Sequence, residues 1–431
     1  MRIDSWGRLQ PLEHNLVVLS DPLNAVAQVR GQTPCVSFGL GRSYGDACLN
    51  SGGAVWACAG LNNWVAFDQD TGVLTCEAGV SLKDIQQTAL PKGWMLPVTP
   101  GSQFVTVGGA IANDVHGKNH HVMGSFGHFV RKIKLLRTTG EVIDCSPQQN
   151  EQLFSATLGG IGLTGVILQA ELQLRSVTGP WLNSETIAFD NIDEFFALTE
   201  QSESEWEYTV SWIDCVAGAG GRGLFMRANH TEAEMPVVKP TRAKNMPLVP
   251  PISLVNRLSL RPFNKLYYWL GKLKTQPSIT HYQPFFYPLD NLENWNRMYG
   301  PKGFYQYQSV VPLQFGREAT IQMLKAIAES GQGSFLAVLK TFSKKASLGM
   351  LSFPMEGVTL ALDFPNQGQA TLDLFNRLDV IVREAKGRIY LAKDARMPRE
   401  MFAEGYPLLS NFLKFRDPGI SSQMSRRLMG Y

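Results

Sequence analysis

Residues 97–138 read PVTPGSQFVTVGGAIANDVHGKNHHVMGSFGHFVRKIKLLRT, and the rest of the chain is organised around this stretch. Six glycines lie between Gly101 and Gly127. Four of the chain's seven histidines lie in the same stretch, namely His116, His120, His121 and His128. Because glycine has no side chain, such a segment lets the backbone approach a ligand closely and offer its N–H groups. The stretch therefore predicts a ligand-binding bed.

The composition is that of an ordinary globular protein. The chain has 431 residues, of which 44% are hydrophobic and 18% charged, and this length favours two domains. The net charge of +3 gives no reason to expect nucleic acid as a partner. Six cysteines without a C-x-x-C pair favour buried free thiols in a reducing compartment over disulfides. Because no apolar signal segment and no run of about 18 apolar residues is present, we expect a cytoplasmic protein.

The pattern up to residue 179 predicts a first domain of short strands and helices. Strands are predicted at 15–19, 35–39, 54–57, 64–68, 73–77, 130–138, 141–144 and 163–174. A helix that Ser81 caps, with Asp84 three residues later, ends at Pro91 and Gly93. A second helix is predicted from Ser146-Pro147 to residue 158. No alternation of strand, helix and strand is apparent, which favours the α+β class.

Residues 180–386 predict a second domain built on an antiparallel sheet that helices cover on one face. The predicted strands are 181–189, 205–214, 222–228, 305–312, 335–342 and 358–364, and the predicted helices are 192–202, 317–330 and 370–386. Residues 387–431 are helical and basic, and we expect them to return to the first domain.

One segment of the second domain has an unusual composition. Residues 235–289 contain no Asp or Glu, and large apolar and aromatic side chains alternate with basic ones. The basic residues are Lys239, Arg242, Lys244, Arg257, Arg261, Lys265, Lys272 and Lys274. This composition is typical of a membrane-surface element. The alternative is a mobile basic loop, at about 235–280, that folds over the domain.

Three glycine-rich segments predict a large phosphate-bearing ligand. GLGRSYGD (39–46) follows a predicted strand, PGS and TVGGA lie within the opening stretch, and GGIGLTG occupies 159–165. Successive N–H groups in such turns form anion-binding nests. None of them is a G-x-G-x-x-G that opens a helix, or a G-x-x-x-x-G-K-[ST], so the usual nucleotide motifs are missing.

GLGRSYGD, VTPGSQFVTVGGAIANDVHGKNHH, GSFGHFVRKIKLL and GGIGLTGVI resemble the FAD-binding domain of vanillyl-alcohol-oxidase-type flavoproteins. The likeness continues through residues 295–312, LDFP (362–365) and GRIYLAKDAR (387–396). Within that superfamily the chain is similar to the decaprenylphosphoryl-β-D-ribose 2'-oxidase family, the flavin subunit of a ribose/arabinose epimerase. The resemblance implies that residues 1–179 bind FAD and residues 180–386 bind the substrate.

The resemblance also implies site residues and partners. FAD would be held by Gly39, Gly41, Arg42, Ser43, Tyr44, Gly45, Gly101, Ser102, Thr106, Gly108, Gly109, His116, Gly117, Lys118, Asn119, Ile167 and Tyr390. The substrate would be bound by Lys118, Gln306, Gln308, Lys340 and Lys393, and the catalytic residues would be Lys393, Tyr44 and His116. The implied partners are a polyprenyl-phosphate sugar and an NAD(P)H-dependent short-chain reductase, with peripheral contact at the inner face of the cell membrane.

Oxidation of a secondary alcohol explains why such residues are needed. The hydroxyl proton must be removed while hydride leaves the same carbon for flavin N5. Lys393 can polarise or deprotonate the hydroxyl if burial near other cations lowers its pKa. A water or a tyrosine is the alternative base. Lys118 and Lys340 can pair with a substrate phosphate as point charges.

The histidine-rich stretch leaves two other interpretations open. His116 and His120 have the H-x-x-x-H spacing of a metal site, but Gly117 and Gly124 disfavour the helix that this site needs. In the superfamily a flavin-linking histidine sits in the first glycine loop, where this chain has Arg42. We therefore expect no metal and dissociable FAD, unless His116 is itself the link.

Two positions depart from the family pattern. Mycobacterial members carry a cysteine two residues before D-F-P, where this chain has Ala361, and Thr359 replaces an asparagine. We expect catalysis to survive and covalent thiol-directed inhibition to be lost. The leading hypothesis is oxidation of the 2'-hydroxyl of a polyprenyl-phosphate-linked ribose. The alternatives are an FAD-dependent oxidase of a free alditol or aldonolactone, and a flavin-bearing membrane scaffold without activity.

Overall fold

The structure is a computed structural model that describes residues 2–30, 34–218, 220–233, 235, 243–274 and 276–431. The first part of the chain forms β1 (Arg2–Ile3), β2 (Leu12–Glu13), β3 (Asn15–Val18), α1 (Pro22–Arg30), β4 (Cys35–Phe38), β5 (Ala54–Ala57), β6 (Trp64–Asp68), β7 (Val73–Glu77), α2 (Leu82–Ala89), β8 (Trp94–Met95), α3 (Val107–Ala112), α4 (His120–Met123), β9 (Val130–Leu136), β10 (Val142–Cys145), α5 (Glu151–Thr157), β11 (Val166–Gln173) and β12 (Arg175–Ser176).

The remainder forms β13 (Trp181–Phe189), α6 (Ile192–Ser202), β14 (Tyr208–Ile213), β15 (Gly223–His230), β16 (Lys244–Asn245), α7 (Arg257–Lys272), β17 (Ser278–His281), α8 (Tyr282–Phe286), β18 (Leu292–Glu293), β19 (Phe304–Val311), α9 (Leu313–Ser330), β20 (Ala337–Phe342), β21 (Gly357–Pro365), α10 (Gln369–Glu384), β22 (Arg388–Ile389), α11 (Arg399–Gly405), α12 (Leu409–Phe412) and α13 (Gln423–Met429). Four 3₁₀ turns accompany these elements among the described residues, at Cys58–Gly60, Leu90–Lys92, Phe126–Phe129 and Trp295–Tyr299.

The first part of the chain contains two principal sheets, and the α+β class is confirmed. An antiparallel sheet has the strand order β10-β9-β11-β7-β6. A smaller parallel sheet has the order β3-β5-β4, and α1 connects β3 to β4. One strand–helix–strand unit, which was not predicted, therefore occurs at residues 15–38. The helix escaped prediction because only Ala25 and Val29 are buried, too few to give a clear apolar face.

Helix α2 is confirmed together with its cap, but the predicted start of α5 is wrong. The Asp84 N–H donates to Ser81 Oγ at 3.1 Å, which satisfies a donor of the first turn of α2. Ser146 does not begin a helix. Its Oγ accepts from the N–H groups of Gln148 and Gln149, so the serine closes a turn, and α5 begins four residues after Pro147.

The second domain is built on an eight-stranded antiparallel sheet, as predicted. Its strand order is β17-β13-β15-β14-β20-β21-β19-β22. Neighbouring residues along a strand point to opposite faces. Phe225 packs in the same core as Phe195 of α6 and Met323 of α9. Leu224 packs with Tyr268 of α7 on the other face. Helices α6, α9 and α10 therefore cover one face, and α7 covers only the outer end of the opposite face.

The prediction of a loop at 235–280 is wrong for residues 257–272. These residues form α7, whose first turn is capped by Asn256 Oδ1, which accepts from the N–H groups of Leu258 and Ser259. Pro262 lies inside the helix, where it removes one backbone donor and is an unfavourable residue for a helix interior. Lys239 and Arg242 lie outside the described residues.

Residues 417–431 lie against the first domain. The Arg427 guanidinium donates to Asp46 Oδ1 at 2.8 Å and to Asp394 Oδ2 at 2.9 Å, so α13 joins the first glycine loop to the segment that carries Lys393. The Thr138 N–H donates to Asp417 Oδ2 at 2.8 Å. Within the described part of the chain, no helix combines the length and the apolar character that a membrane crossing needs.

Candidate active site

A large cavity lies between the glycine-rich stretch and the eight-stranded sheet, on the face of the sheet opposite α6, α9 and α10. Its volume is about 910 Å³, near the upper end of the range for ligand pockets. Glycines from all three glycine-rich segments line it, namely Gly39, Gly41, Gly101, Gly108, Gly109, Gly117, Gly162 and Gly165. The segments that looked like separate nests in the sequence therefore form one continuous bed.

The bed is shaped by close contacts between its loops. Thr106 Oγ1 caps α3 by accepting from the Gly109 N–H at 3.1 Å. A Cβ on Gly39 would lie 2.6 Å from the same Oγ1, so a side chain there would push the loops apart. A Cβ on Gly101 would meet no protein atom within 4 Å. The cavity is thus open beside Gly101, and a ligand has room to approach this backbone.

The opposite wall is a grid of side chains from three adjacent strands. In the register of β20, β21 and β19, Lys340 lies opposite Thr359, and Gln306 lies opposite Asp363. Ala361 lies opposite Gln308 in the row between them. Because alternate residues share a face, all of these side chains line the cavity. Both positions that depart from the family pattern belong to this wall, and Ala361 is at its centre.

One end of the wall is organised around His116. The Lys340 ammonium donates to His116 Nδ1 at 2.8 Å and to the Gly117 carbonyl at 2.8 Å. The Gln308 amide lies 3.1 Å from His116 Nε2. Burial and then the charge of Lys340 hold the pKa of His116 well below its usual range. The imidazole is therefore neutral, with a cation at one nitrogen and an amide at the other.

The other end of the wall holds Lys393 and Asp363. Lys393 Nζ lies 3.7 Å from the centre of the Tyr44 ring, and the Gln306 amide donates to Asp363 Oδ1 at 2.5 Å. Burial lowers the pKa of Lys393 below the ordinary lysine range, and the charge of Asp363 opposes that shift. Burial raises the pKa of the Asp363 carboxyl. The amino group of Lys393 and the buried carboxyl group of Asp363 thus line the same cavity.

Two further lysines carry perturbed pKa values. Lys118 donates to the Phe285 carbonyl and lies 4.9 Å from the centre of the Phe285 ring, and burial lowers its pKa to about 7. Burial, with the charges of Lys118 and Lys393, lowers the pKa of Lys340 to about 7. Buried lysines gathered around one cavity are favourable for binding an anion and for moving a proton.

The structure brings together nearly all the residues predicted for the site. Those that line the cavity are Gly39, Gly41, Arg42, Ser43, Tyr44, Gly101, Ser102, Thr106, Gly108, Gly109, His116, Gly117, Lys118, Ile167, Gln306, Gln308, Lys340, Tyr390 and Lys393. Gly45 and Asn119 do not line it. A Cβ on Gly45 would collide with the Asp394 carbonyl. The Asn119 amide donates to the Pro97 carbonyl at 2.9 Å and to Glu207 at 3.3 Å, which ties the bed to the second domain.

The other histidines of the bed do not converge on a common point. His120 packs on Phe342, with ring centres 4.5 Å apart. His121 bonds the Trp206 carbonyl at 2.7 Å, and His128 bonds the Ala346 carbonyl at 3.1 Å. In the described ranges, no group of three or more His, Cys, Asp or Glu is placed to hold a metal ion.

Sequence reasoning missed two features of the site. Asp363 belongs to the quoted LDFP motif, and its alternation with Ala361 and Thr359 was the available signal that it faces the cavity. Residues 285–290 close over the bed: the Tyr287 and Thr99 hydroxyls are 2.7 Å apart, and Asp290 accepts from the Gln103 N–H at 2.8 Å. No local pattern signals those long-range contacts.

Comparison with known proteins identifies the class. Residues 23–146 match the FAD binding domain family, and this segment contains the first two glycine-rich loops of the bed. At Gly39 and Gly101 a ligand can come close to the backbone, and Ile167 adds an apolar surface to the cavity. The residues present therefore fit FAD. The protein is an FAD-dependent oxidoreductase of the vanillyl-alcohol-oxidase type.

Relatives along the whole chain narrow the class to a family. The chain is 35% identical to the decaprenylphosphoryl-beta-D-ribose oxidase of Mycolicibacterium smegmatis over 99% of its own length and 97% of that protein. It is 30% identical to an uncharacterized protein in the mprA 5' region of Streptomyces coelicolor, over 81% of this chain and all of that one. The chain is also 27% identical to the D-lactate dehydrogenase of Anaerostipes hadrus, over 36% of this chain and 34% of that protein. The chain belongs to the decaprenylphosphoryl-β-D-ribose oxidase family.

Proposed function

We propose that this enzyme oxidises the 2'-hydroxyl of a polyprenyl-phosphate-linked ribose to the 2'-keto sugar, using non-covalently bound FAD. The observation that carries the proposal is the cavity in which a glycine bed faces a polar wall, with Lys118, Lys340 and Lys393 around it. The name of the M. smegmatis relative supports the substrate class. The keto product would pass to an NAD(P)H-dependent short-chain reductase, which completes epimerisation to the arabinose.

Some of these residues bind the substrate, and one of them accepts a proton from it. Bound FAD supplies the hydride acceptor at N5. Lys118 and Lys340 bind the substrate phosphate through their charge, and His116 positions Lys340 through the 2.8 Å contact. Lys393, held over the Tyr44 ring, accepts the proton from the sugar hydroxyl. Gln306 and Gln308 orient the sugar from the same wall.

A variant of Lys393 tests this assignment. Lys393→Ala removes the proton acceptor, and we expect anaerobic flavin reduction by polyprenylphosphoryl ribose to slow by about 100-fold or more, in the range that general-base catalysis contributes. FAD content should be unchanged. Lys92→Ala, a lysine outside the cavity, is the control and should reduce flavin at the wild-type rate. Wild-type rates in Lys393→Ala would refute its role.

The environment of Arg42 supports dissociable FAD. Its guanidinium lies 4.2 Å from the Trp6 ring centre and donates to the Leu40 carbonyl at 2.7 Å. An arginine in this position offers no ring nitrogen for a flavin link, and both ring nitrogens of His116 already have partners. Acid precipitation should therefore release free yellow flavin into the supernatant. Colour that stays with the protein pellet would show a covalent bond.

We also propose that α7 rests on an anionic membrane surface and delivers the lipid end of the substrate. The helix buries a narrow stripe of Leu260, Asn264, Tyr268 and Gly271 and exposes most of its other apolar residues. Leu258 is 88% exposed, Leu266 60% and Leu273 75%. Five basic residues accompany them between residues 257 and 274, namely Arg257, Arg261, Lys265, Lys272 and Lys274. Exposed apolar bulk with basic residues is the composition of an interfacial helix.

The position of α7 relative to the cavity connects the membrane to the substrate. Tyr267 and Lys274 line the cavity, whose other end lies at the glycine bed. A polyprenyl chain can therefore extend from the sugar site towards α7. A soluble alditol or aldonolactone, the competing substrate class, needs no such exposed helix.

Vesicle flotation tests the membrane contact. We expect the triple variant Leu258→Ser, Leu266→Ser and Leu273→Ser to lose at least tenfold in binding to vesicles that contain anionic lipid, because three apolar side chains no longer insert. The matched control replaces the exposed Leu23, Leu313 and Leu408, which lie elsewhere, by serine and should bind as the wild type does. Equal binding of both triple variants would refute the contact.

A further inference from the structure

Gln306 and Gln308 lie side by side in the polar wall of the cavity. They are two residues apart on β19, so their side chains leave the same face of the strand, and both line the cavity. A glutamine amide presents either a carbonyl oxygen, which accepts hydrogen bonds, or an NH2 group, which donates them. The orientation of each amide therefore determines which ligand group this wall can bind.

The orientation of the Gln306 amide is set by Asp363. The two residues lie opposite each other on β19 and β21, and Gln306 Nε2 donates to Asp363 Oδ1 at 2.5 Å. An ionised carboxylate accepts hydrogen bonds and donates none, so it pairs with the NH2 group and repels the carbonyl oxygen. Because the nitrogen is held in the wall, the carbonyl oxygen Oε1 is the amide atom left to a ligand in the cavity.

Asp363 is itself fixed in the wall. It is 1% exposed, its N–H donates to Ser334 Oγ at 3.1 Å, and the Tyr299 hydroxyl lies 3.5 Å from Oδ2. Burial raises the pKa of the Asp363 carboxyl to about 7. A proton that binds there can sit on Oδ2, beside the tyrosine, and this leaves Oδ1 an acceptor. The hydrogen bond from Gln306 Nε2 is therefore kept whether or not the carboxyl is ionised.

Gln308 is held by groups of a different kind. Its Nε2 lies 3.1 Å from His116 Nε2 and 3.4 Å from Thr359 Oγ1. An imidazole nitrogen and a hydroxyl each accept or donate a hydrogen bond, depending on where their hydrogens lie. Neither group therefore fixes the Gln308 amide in one orientation. Of the two glutamines, it is Gln306 whose orientation the contacts determine.

We infer that Asp363 is a positioning residue that acts through Gln306 and turns the carbonyl oxygen of that amide towards the sugar. At this point the wall binds a hydrogen-bond donor, namely a sugar hydroxyl other than the one that is oxidised. A carbonyl or phosphate oxygen is disfavoured there, because two acceptors leave each other unpaired. The lysines of the same cavity have the opposite preference, since an ammonium group only donates. The inference rests on the proposed function for the identity of the sugar, but not for the contact between the two side chains.

Flavin reduction by substrate analogues tests the inference. In the wild type, removal of the 3'-hydroxyl or of the 5'-hydroxyl from polyprenylphosphoryl ribose should lower kcat/KM by about 2- to 12-fold, the value of one neutral hydrogen bond. This preference for the hydroxyl should disappear in Gln306→Met and in Asp363→Leu, because no fixed carbonyl oxygen remains. FAD content reports folding, and Asp363→Ala takes the place of Asp363→Leu if the latter does not bind FAD. A wild type that prefers neither hydroxyl, or a preference that survives the loss of Asp363, overturns the inference.

Three further variants separate this role from a merely structural one. Asp363→Asn keeps an acceptor oxygen opposite Gln306 Nε2 and should restore the preference. The double variant of Asp363→Leu and Gln306→Met should have the kcat/KM of Gln306→Met alone, because Asp363 acts through the amide, whereas losses that multiply overturn the inference. Gln332→Met removes a buried amide outside the cavity, one that donates to the Ala370 carbonyl at 2.9 Å, and should keep the preference.

A measurement without substrate keeps the two proposals distinguishable. In FAD-loaded protein with nitrogen-15 in its glutamine side chains, the Gln306 amide signal is identified by its loss in Gln306→Met. Exchange of its amide hydrogens with deuterium should be about tenfold or more faster in Asp363→Leu than in the wild type or Asp363→Asn, because the hydrogen bond is lost.

The two measurements together give distinct outcomes. If polyprenylphosphoryl ribose does not reduce the flavin but amide exchange responds to Asp363→Leu, the proposed function fails and the positioning role stands. If reduction occurs but neither the hydroxyl preference nor the exchange responds, the positioning role fails and the function stands. Equal exchange in all the Asp363 variants overturns the inference whatever the substrate.

Discussion

Replacing Gly101 by alanine distinguishes the effect of this residue on protein stability from its effect on FAD affinity. A Cβ on Gly101 meets no protein atom within 4 Å, and the residue does not adopt a left-handed backbone conformation. The flavin-free protein should therefore tolerate the methyl group. It should even gain about 0.4–1 kcal/mol, because alanine restricts the unfolded chain more than glycine does. The melting temperature of the flavin-free variant should be equal to or slightly above that of the wild type.

FAD binding should change in the opposite direction. Gly101 lines the cavity, so the added methyl group occupies space that the diphosphate is proposed to use. An intruding methyl group in a close-packed contact costs about 1–3 kcal/mol. That cost corresponds to FAD affinity weaker by about 5- to 140-fold, since 1.4 kcal/mol is a factor of ten. Quenching of flavin fluorescence during titration of flavin-free protein measures the affinity.

Gly179 offers the matched control. A Cβ there also meets nothing within 4 Å, but the residue lies outside the cavity. Gly179→Ala should therefore show the same small gain in stability and no change in FAD affinity. Wild-type FAD affinity in Gly101→Ala would mean that the ligand does not approach this backbone, and the assignment of the bed would be wrong.

Three further predictions concern the wall, the phosphate contacts and the C-terminal segment. Burial lowers the pKa of Lys118 and Lys340 to about 7, so both side chains lose their charge as the pH rises through that value. The KM for a phosphate-bearing substrate should therefore rise over the same pH range. The KM for a substrate without phosphate should not change in this way. Ala361→Cys places a thiol at the centre of the wall, and a thiol-reactive methanethiosulfonate should then inactivate the variant but not the wild type, with protection by substrate. Arg427→Met leaves two buried carboxylates without their cation and should lower the free energy of unfolding by about 3–5 kcal/mol in urea. Arg383→Met, which breaks an exposed ion pair, should change it very little.

Local chemistry in the sequence was sufficient to predict much of the fold. The Ser81 cap needs only a residue three positions away, and strand alternation needs only a few neighbours, so both could be seen before the structure. Helix α1 could not, because it buries two residues and has no strong apolar stripe. Helix α7 could not, because its exposed leucines and internal Pro262 hide the 3.6-residue period. In both helices the solvent-exposed face carries apolar residues, so the sequence does not separate into a buried apolar side and an exposed polar side.

The site divides in the same way. Each glycine loop, and each motif that contains His116 or Lys393, is a short continuous segment of the chain, so a resemblance could identify it. The Gln306–Asp363 contact joins residues 57 positions apart, and the Thr99–Tyr287 contact joins residues 188 positions apart. Such contacts depend on the register of the assembled sheet and on domain packing, which no local pattern specifies. The place of Asp363 in the cavity wall therefore arises only in the folded protein.

The most direct test of the central claim is anaerobic reduction of the bound flavin, followed by its absorbance in a stopped-flow instrument. Three substrates should be compared at equal concentration in detergent: a polyprenylphosphoryl ribose, an alditol and an aldonolactone. The account predicts rapid bleaching with the lipid-linked ribose and little with the other two, because only the first meets the lysines, the polar wall and α7 together. Faster bleaching by the alditol or the aldonolactone, or no bleaching by the lipid-linked ribose, would contradict it.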